Sequence, residues 1–268
     1  MIRTRRTNDR PTPAPAALWI GTCGFDYPHW VNVFYPRDLP RREWFAYYAR
    51  HFDTVELNVT FYRLPHRRTF EAWARQAPEG FCFALKGSRF ITHVKRLRDA
   101  AGAVANFFEN AQLLGGRLRC VLWQLPARFA ADANRLREFL RALPGRTLHA
   151  FEFRDRSWFT DDVFAALRET NAAIAAADWP FQVLLPGMRP RRIARQAVRV
   201  PATADWAYLR RHGPGDRYGG AYTLAMLRSD AEWIRSRHPA FREVFVYFNN
   251  DPSGHAVRNA LRLRRLVE

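Results

Sequence analysis

Only Lys86 and Lys95 break the arginine usage of this chain; the other 41 of its 43 basic residues are arginine. Both lie in one stretch, Phe83 to Leu97, FALKGSRFITHVKRL. A chain so biased writes arginine wherever either cation serves, so a position that keeps lysine calls for a compact, titratable amine rather than a planar guanidinium fork. The alternative is a pair of surface cations beside a solvated loop, the usual place of basic residues. Other chemistry-bearing residues recur in short blocks: Glu56 and Asn58 in TVELNVT, Glu152 and Arg154 in HAFEFRDRSWF, and Arg210 and His212 in AYLRRHG. Cations at Lys86, Arg89, Lys95, Arg154, Arg210 and His212 beside Glu56 and Glu152 compose a site for an anionic substrate, phosphorylated or derived from nucleic acid, with a carboxylate left for proton transfer. Lys86 offers a second chemistry, a Schiff-base amine, if burial lowers its pKa.

Strands that end in polar residues are needed to bring these side chains together. Thr54 to Thr60 alternates, with Val55, Leu57 and Val59 on one face and Glu56, Asn58 and Thr60 on the other. The same division recurs at Phe81 to Lys86, Val121 to Leu125, Ala150 to Arg154 and Val244 to Asn249; Leu18 to Cys23, Ala173 to Ala177 and Trp206 to Arg211 complete eight strands. Segments of helical period lie between most of them, as at Val104, Phe107, Phe108 and Ala111, or Leu136, Phe139, Leu140 and Leu143. Alternation of strand and helix over this length predicts a single α/β domain, residues 18–268, folded as a TIM-type (β/α)8 barrel whose active mouth lies at the strand C-termini. The candidates there are catalytic Glu56, Lys86 and Glu152, and binding residues Asn58, Tyr62, Arg89, His93, Lys95, Gln124, Arg154, Trp158, Asp178, Arg210, His212, Asn249 and Asn250. The alternative for any one of them is a salt bridge filling the barrel interior. Pro180 to Ala202 lacks a clean helical period and carries Arg189, Arg191, Arg192, Arg195 and Arg199 without an acid, so it is expected either to cross the mouth or to form a solvated excursion.

Composition narrows the class. The formal charge is +18, and Met1 to Ala17 contributes little of it, since four arginines there face Asp9. A basic body attracts polyanions, nucleic acid above all, although arginine bias alone produces the same charge. Cys23, Cys82 and Cys120 have no CxxC spacing and lie in or beside strands, so they read as small buried residues in a reducing compartment. No apolar run approaches the roughly 20 residues of a membrane span, and the first residues lack the apolar region of a secretory signal, so a cytoplasmic protein without membrane partners is expected. Pro11, Pro13 and Pro15 break any amphipathic helix in Met1 to Ala17, which predicts a disordered basic tail.

Two familiar chemistries fit poorly. A glycosidase needs carboxyls roughly 5 to 9.5 Å apart, and Glu56 and Glu152 come from the second and fifth strands, far apart around a ring. His93, His212, Glu56, Glu152, Asp178 and Asp251 are of metal-ligating type, so a divalent metal is possible, but no HxH or HExxH spacing indicates one. Tyr27, Trp30, Phe61, Tyr62, Trp158 and Trp179 supply aromatic surface for a base or sugar, or else pack the loops.

Several blocks together resemble the YecE-like family, a domain of unknown function of TIM-barrel type. They are GTCGFDYPHW (Gly21 to Trp30), TVELNVTFYRLP (Thr54 to Pro65), FALKGSRFITHVKRL, HAFEFRDRSWF (His149 to Phe159), ATADWAYLRRHG (Ala202 to Gly213) and VFVYFNNDPSGHAVRNA (Val244 to Ala260). The resemblance implies the barrel and supplies no activity. In two places this chain departs from the family pattern: Asp155 stands where the family usually has histidine after the Glu-x-Arg pair, and the arginine-rich segment before Ala202 is longer than usual.

Overall fold

The structure is a computed structural model that describes residues 17–215, 218–237 and 240–268. The tail expected to be disordered lies outside the described residues, apart from Ala17, which opens the first strand. The strands are β1 (Ala17–Thr22), β2 (Thr54–Leu57), β3 (Cys82–Lys86), β4 (Leu118–Gln124), β5 (Leu148–Glu152), β6 (Ala173–Ala177), β7 (Gln182–Leu184), β8 (Ala197–Arg199), β9 (Trp206–Arg211) and β10 (Glu243–Phe248). The α-helices are α1 (Trp44–Ala49), α2 (Val59–Tyr62), α3 (Arg67–Gln76), α4 (Ala101–Ala111), α5 (Ala133–Arg141), α6 (Asp161–Glu169), α7 (Leu224–Arg237) and α8 (His255–Val267). Eight strands form one parallel sheet in the order β1-β10-β9-β6-β5-β4-β3-β2. The expected single-domain barrel is therefore present, and it is nearly closed. No helix among the described residues is long and apolar enough to cross a membrane.

Strand alternation divides the interior into two cores. Phe83 and Leu85 of β3, Val121 and Trp123 of β4, and Val244 and Val246 of β10 face the helix layer, where they join the larger core. The opposite parity fills the barrel itself. Trp206, Tyr208, Phe245 and Tyr247 of β9 and β10 pack there against small residues of the other strands, including Cys82, Ala84, Cys120, Ala150, Ala173 and Ala175. Large rings on one side of the ring of strands and small side chains on the other keep the interior filled. At the N-terminal end, Arg119 donates to both carboxylate oxygens of the buried Glu243, at 2.7 and 2.5 Å, and Trp19 Nε1 donates to the same group at 3.3 Å.

The seam between β1 and β2 lacks a full ladder. A parallel bridge joins Cys23 and Glu56, and α1 supplies the rest through one side chain. Tyr48 Oη accepts from Thr22 N at 3.1 Å and donates to Thr54 O at 3.0 Å, so a phenol does the work of a backbone pair. Gly21 permits the approach, because a Cβ there would lie 2.4 Å from Thr54 O.

Three features differ from the sequence expectation. The second strand ends at Leu57 rather than Thr60: Asn58 opens α2, and Val59, expected on the apolar face, is exposed. The segment after β6 contains β7 and β8, a separate two-stranded parallel sheet with register Gln182 to Ala197. That segment is also not a solvated excursion. Arg191 pairs with Asp230 at 2.5 Å, Arg195 donates to Asp178 O and Gly213 O at 2.9 and 2.8 Å, and Arg199 donates to Met188 O. Arg189 and Arg192 remain exposed.

Candidate active site

The inward parity that carries the small residues of the barrel ends, at the strand C-termini, in Glu56, Lys86, Gln124, Glu152 and Arg210, all buried. Arg210 follows Trp206 and Tyr208 along β9 and reaches to strands on both sides. Its Nη2 and Nε donate to Glu56 at 2.6 and 2.9 Å, and its Nη1 donates to Glu152 Oε2 at 2.9 Å. Nη2 also reaches Asn58 Oδ1 at 3.3 Å, while Tyr208 Oη donates to Glu56 Oε2 at 2.6 Å. Arg154 Nε completes the set with Glu152 Oε1 at 2.8 Å. Burial by itself would raise the Glu56 carboxyl, but the charge and hydrogen bonds of Arg210, with those of Tyr208 and Cys23, outweigh it and hold the group below its usual value. Glu152 is likewise held low, with Arg154, Arg210, His212 and Lys86 overcoming burial. Both acids are ionised and bridged by one guanidinium.

Lys86 stands apart from that network. Its side chain is buried, and among the described residues its amine makes no hydrogen bond and no ion pair; its neighbour is the Phe61 ring, with the centroid 4.0 Å from Nζ. The amine forms no ion pair with Glu56, whose carboxylate is occupied by Arg210 and Tyr208. Burial lowers the Lys86 pKa to about 7, with Arg210 and Arg154 lowering it further and Glu152 and Glu56 opposing them. Gly87 lets the chain turn away directly after the amine, since a Cβ there would meet the Trp123 ring at 2.3 Å. The Phe61 ring also packs edge-on against His93, 5.0 Å away. His93 is pushed down to about 4 by burial and by the nearby Lys86, Arg89, Arg154 and Arg96, so its imidazole is neutral at pH 7.

A second buried network backs the first. Asp178 Oδ1 accepts from His212 N at 2.8 Å and its Oδ2 from Tyr222 Oη at 2.5 Å; Arg191 lies 3.6 Å from Oδ2. Asp230 on α7 is gripped by Arg191 and by Arg211, the latter at 2.8 and 2.9 Å. His212 joins the two networks, with Nε2 3.7 Å from Glu152 Oε1 and Nδ1 3.6 Å from Asp178 Oδ1. Burial depresses its pKa, and Nδ1 has no hydrogen-bond partner among the described residues.

The remaining candidates divide between the mouth, its rim and its packing. Gln124 is buried at the end of β4. Arg154 stacks over the Trp179 ring at 4.6 Å, and its buried Nη2 has no hydrogen-bond partner among the described residues. Tyr62 and Arg89 are exposed, and Lys95 is half-buried with Nζ 5.8 Å from the Phe90 centroid. Trp158 is fully buried, donating to Phe129 O at 2.6 Å and stacked on Phe153, so it presents no surface to a substrate. Asn250 ties the loop before α8 to Gly220 O and Asn259 Oδ1, and the buried Asn249 donates its backbone N–H to Arg211 O. Asp155, in the position where histidine was expected, accepts from Ser157 N at 3.0 Å and caps a short turn. Sequence reasoning missed Tyr208, Tyr222, Arg211 and Asp230. Tyr208 shares the parity of Glu56 and Arg210, a signal that strand alternation carries; Asp230 sits on a helix, where nothing in the sequence marks it. Among the described residues no group of three or more His, Cys, Asp or Glu side chains is placed to hold a metal ion.

Known proteins share this framework. A DUF72 family protein of Thermotoga maritima, of known crystal structure, superposes with a TM-score of 0.79 at 29% identity, covering 94% of this chain and 99% of its own. A DUF72 family protein of Enterococcus faecalis, at 19% identity and a TM-score of 0.72, shares the fold. The UPF0759 protein YunF of Bacillus subtilis is 23% identical over 94% of this chain and 95% of its own length. The UPF0759 protein YecE of Escherichia coli is 32% identical over 143 residues, about half of each chain. The family model described as a protein of unknown function, DUF72, matches residues 19–268, and the chain belongs to that family of YecE-like barrels.

Proposed function

We propose that this barrel is a lyase that works through the Lys86 amine, which condenses with the carbonyl group of an anionic, phosphorylated substrate at the C-terminal mouth. The observation that carries this reading is the state of that amine: buried at the end of a barrel strand, without an ion-pair partner among the described residues, and with a pKa near neutrality. A neutral amine is the nucleophilic form, and desolvation is one of the ways enzymes obtain it. Its lone pair adds to the carbonyl carbon, the oxygen leaves as water, and the protonated imine takes up the electron pair of the neighbouring Cα–Cβ bond while the β-hydroxyl gives its proton to a base and that fragment departs as a carbonyl. The enamine left on Lys86 then regains a proton at Cα. Water then releases the product and restores the amine.

The surrounding groups support the same chemistry. With the Thr92 hydroxyl directed to Ser88 O at 3.1 Å, His93 Nδ1–H donates to Thr92 Oγ1 at 2.9 Å, leaving Nε2 as a lone pair able to take a proton near the imine. Arg154 Nη2 is the donor left for a phosphate oxygen. Glu56 and Glu152 act in this reading as counter-charges to Arg210. Hydrolysis by a carboxylate pair is the weaker reading, because it needs one carboxyl kept protonated, and both are held ionised.

Borohydride reduction in the presence of phosphorylated carbonyl compounds, namely glyceraldehyde 3-phosphate, dihydroxyacetone phosphate and 2-deoxyribose 5-phosphate, tests the proposal. The parent protein is expected to gain the mass of one reduced adduct, and Lys86→Arg and Lys86→Met to lose it while keeping their circular dichroism. No adduct with any of the three, or an adduct that survives in Lys86→Met, overturns the reading.

A further inference from the structure

Beyond the amine, we propose that the loops following β2 and β3 form, with the loop after β4, a platform for single-stranded nucleic acid along one side of the mouth. Large apolar side chains left in solvent concentrate there: Tyr62 is 76% exposed and Phe90 51%, and Val59 and Val94 accompany them. Scattered exposed residues need no explanation, but a cluster on adjacent loops marks an interaction surface. Two grooves of about 460 and 470 Å³ open on the same face and share Lys95. Phe90 lines the first; Arg96, Arg98 and Arg128 line the second.

Rings and cations interleave across both grooves. Lys95 lies over Phe90, while Arg96 and Arg135 each lie 5.6 Å over the Phe129 ring. Two acids line the grooves, Asp99 in one and Asp132 in the other, and Asp132 is already engaged by Arg135 at 2.9 Å. Among the described residues Lys95, Arg96, Arg98 and Arg128 have no carboxylate partner within ion-pair distance. The surface is held in a costly conformation: Arg96, Leu97, Asp99 and Arg128 all have positive φ, between 41° and 67°, which the surrounding structure must over-determine.

The chemistry of the face selects among polyanions. A free phosphate would use the cations and leave the exposed rings idle, and an acidic peptide offers charge without π-faces. An anionic lipid surface would take the exposed Tyr62 and Phe90 but not the concave groove lined by Arg96, Arg98 and Arg128. A nucleic-acid strand supplies phosphates for the groove and bases for Tyr62 and Phe90, and it must be single-stranded because duplex bases are already stacked. Tyr62 packs edge-on against Phe61, 5.0 Å away, and Phe61 lies under the Lys86 amine, so the platform runs up to the mouth. The surface is nevertheless independent of imine chemistry, and binding reads it without turnover.

Fluorescence anisotropy of labelled dodecathymidylate with the full chain tests the platform between about 50 and 200 mM salt. The double variant Tyr62→Ser/Phe90→Ser is expected to weaken binding about tenfold or more. The triple variant Arg96→Ser/Arg98→Ser/Arg128→Ser should flatten the log–log salt slope by about 2. Arg228→Ser/Arg262→Ser/Arg265→Ser, in the separate basic groove of about 780 Å³ beside α7 and α8, should change neither. The inference is overturned by no binding at the lower salt, by an aromatic variant that binds like the parent, or by equal losses from the two arginine triples. Tighter binding to polyglutamate, phosphatidylserine vesicles or the matching duplex overturns it as well.

Discussion

The amine of Lys86 lies 4.0 Å from the centre of the Phe61 ring and is buried without a counter-ion among the described residues. A lysine in half of a buried salt bridge would cost about 3 to 5 kcal/mol to truncate. An unpaired one behaves oppositely, since removing it relieves desolvation. Lys86→Met is therefore expected to be at least as stable as the parent at neutral pH in urea denaturation. The sign of the pH dependence follows from a folded pKa of about 7 below the ordinary 10.5. Between those values the unfolded chain holds more protons than the folded one, so parent stability rises with pH, by at most roughly 1.4 kcal/mol per unit. The cost of the buried charge is full below about pH 7 and fades toward 10.5. A Lys86→Met variant that loses several kcal/mol, or that follows the pH curve of the parent, contradicts this placement.

Arg210 is expected to be the most costly single truncation in the mouth. Arg210→Met leaves Glu56 and Glu152 buried without their shared partner, which predicts a loss of about 3 to 5 kcal/mol. Adding Glu56→Gln and Glu152→Gln to the same chain should recover much of it, as read by denaturation midpoints. Both carboxyls are held low in the folded protein, so their contribution is present above the usual carboxylate pKa and is lost as pH falls through the folded values.

At the β1–β2 seam, Tyr48→Phe removes one oxygen and strands two buried backbone groups, Thr22 N–H and Thr54 O. At about 1 to 3 kcal/mol for each unsatisfied group, the loss should be about 2 to 6 kcal/mol. Hydrogen exchange should accelerate first at the amides of β1 and β2, and uniform acceleration across the ring would contradict a seam held by this phenol.

In the segment between β6 and β9, the arginines separate by partner. Arg191→Ser leaves Asp230 with Arg211 alone and deprives Asp178 of a nearby cation, so it should lower the melting temperature by several degrees. Arg189→Ser and Arg192→Ser, both exposed, should each change stability by less than about 0.5 kcal/mol. Equal effects at the three positions would contradict the assignment.

Much of this arrangement was legible because side-chain parity is fixed by the strand. Lys86, Gln124, Glu152 and Arg210 share a face with Ala84, Leu122, Ala150 and Tyr208, and that face forms the barrel interior. Parity fails where the strand stops: Val59 was read on the apolar face, but Asn58 turns the chain into α2. Pairing between distant elements leaves no local pattern either. The basic run after β6 left a solvated excursion and a segment across the mouth both open, because its acids, Asp178 and Asp230, lie elsewhere in the sequence. Trp158 shows the same limit, since an aromatic that packs and one that stacks on a ligand have identical sequence signatures.

Because the chain has two lysines, one measurement separates the central claim from its alternatives: peptide mass spectrometry after borohydride trapping with a phosphorylated aldehyde, repeated from about pH 5 to 9. The account predicts an adduct on the peptide holding Lys86 and not on Lys95, with a trapping rate that rises through about pH 7 and then levels as the amine becomes neutral. Labelling shared equally by Lys86 and Lys95, or a rate at Lys86 still rising at pH 9 as an ordinary amine would, contradicts it.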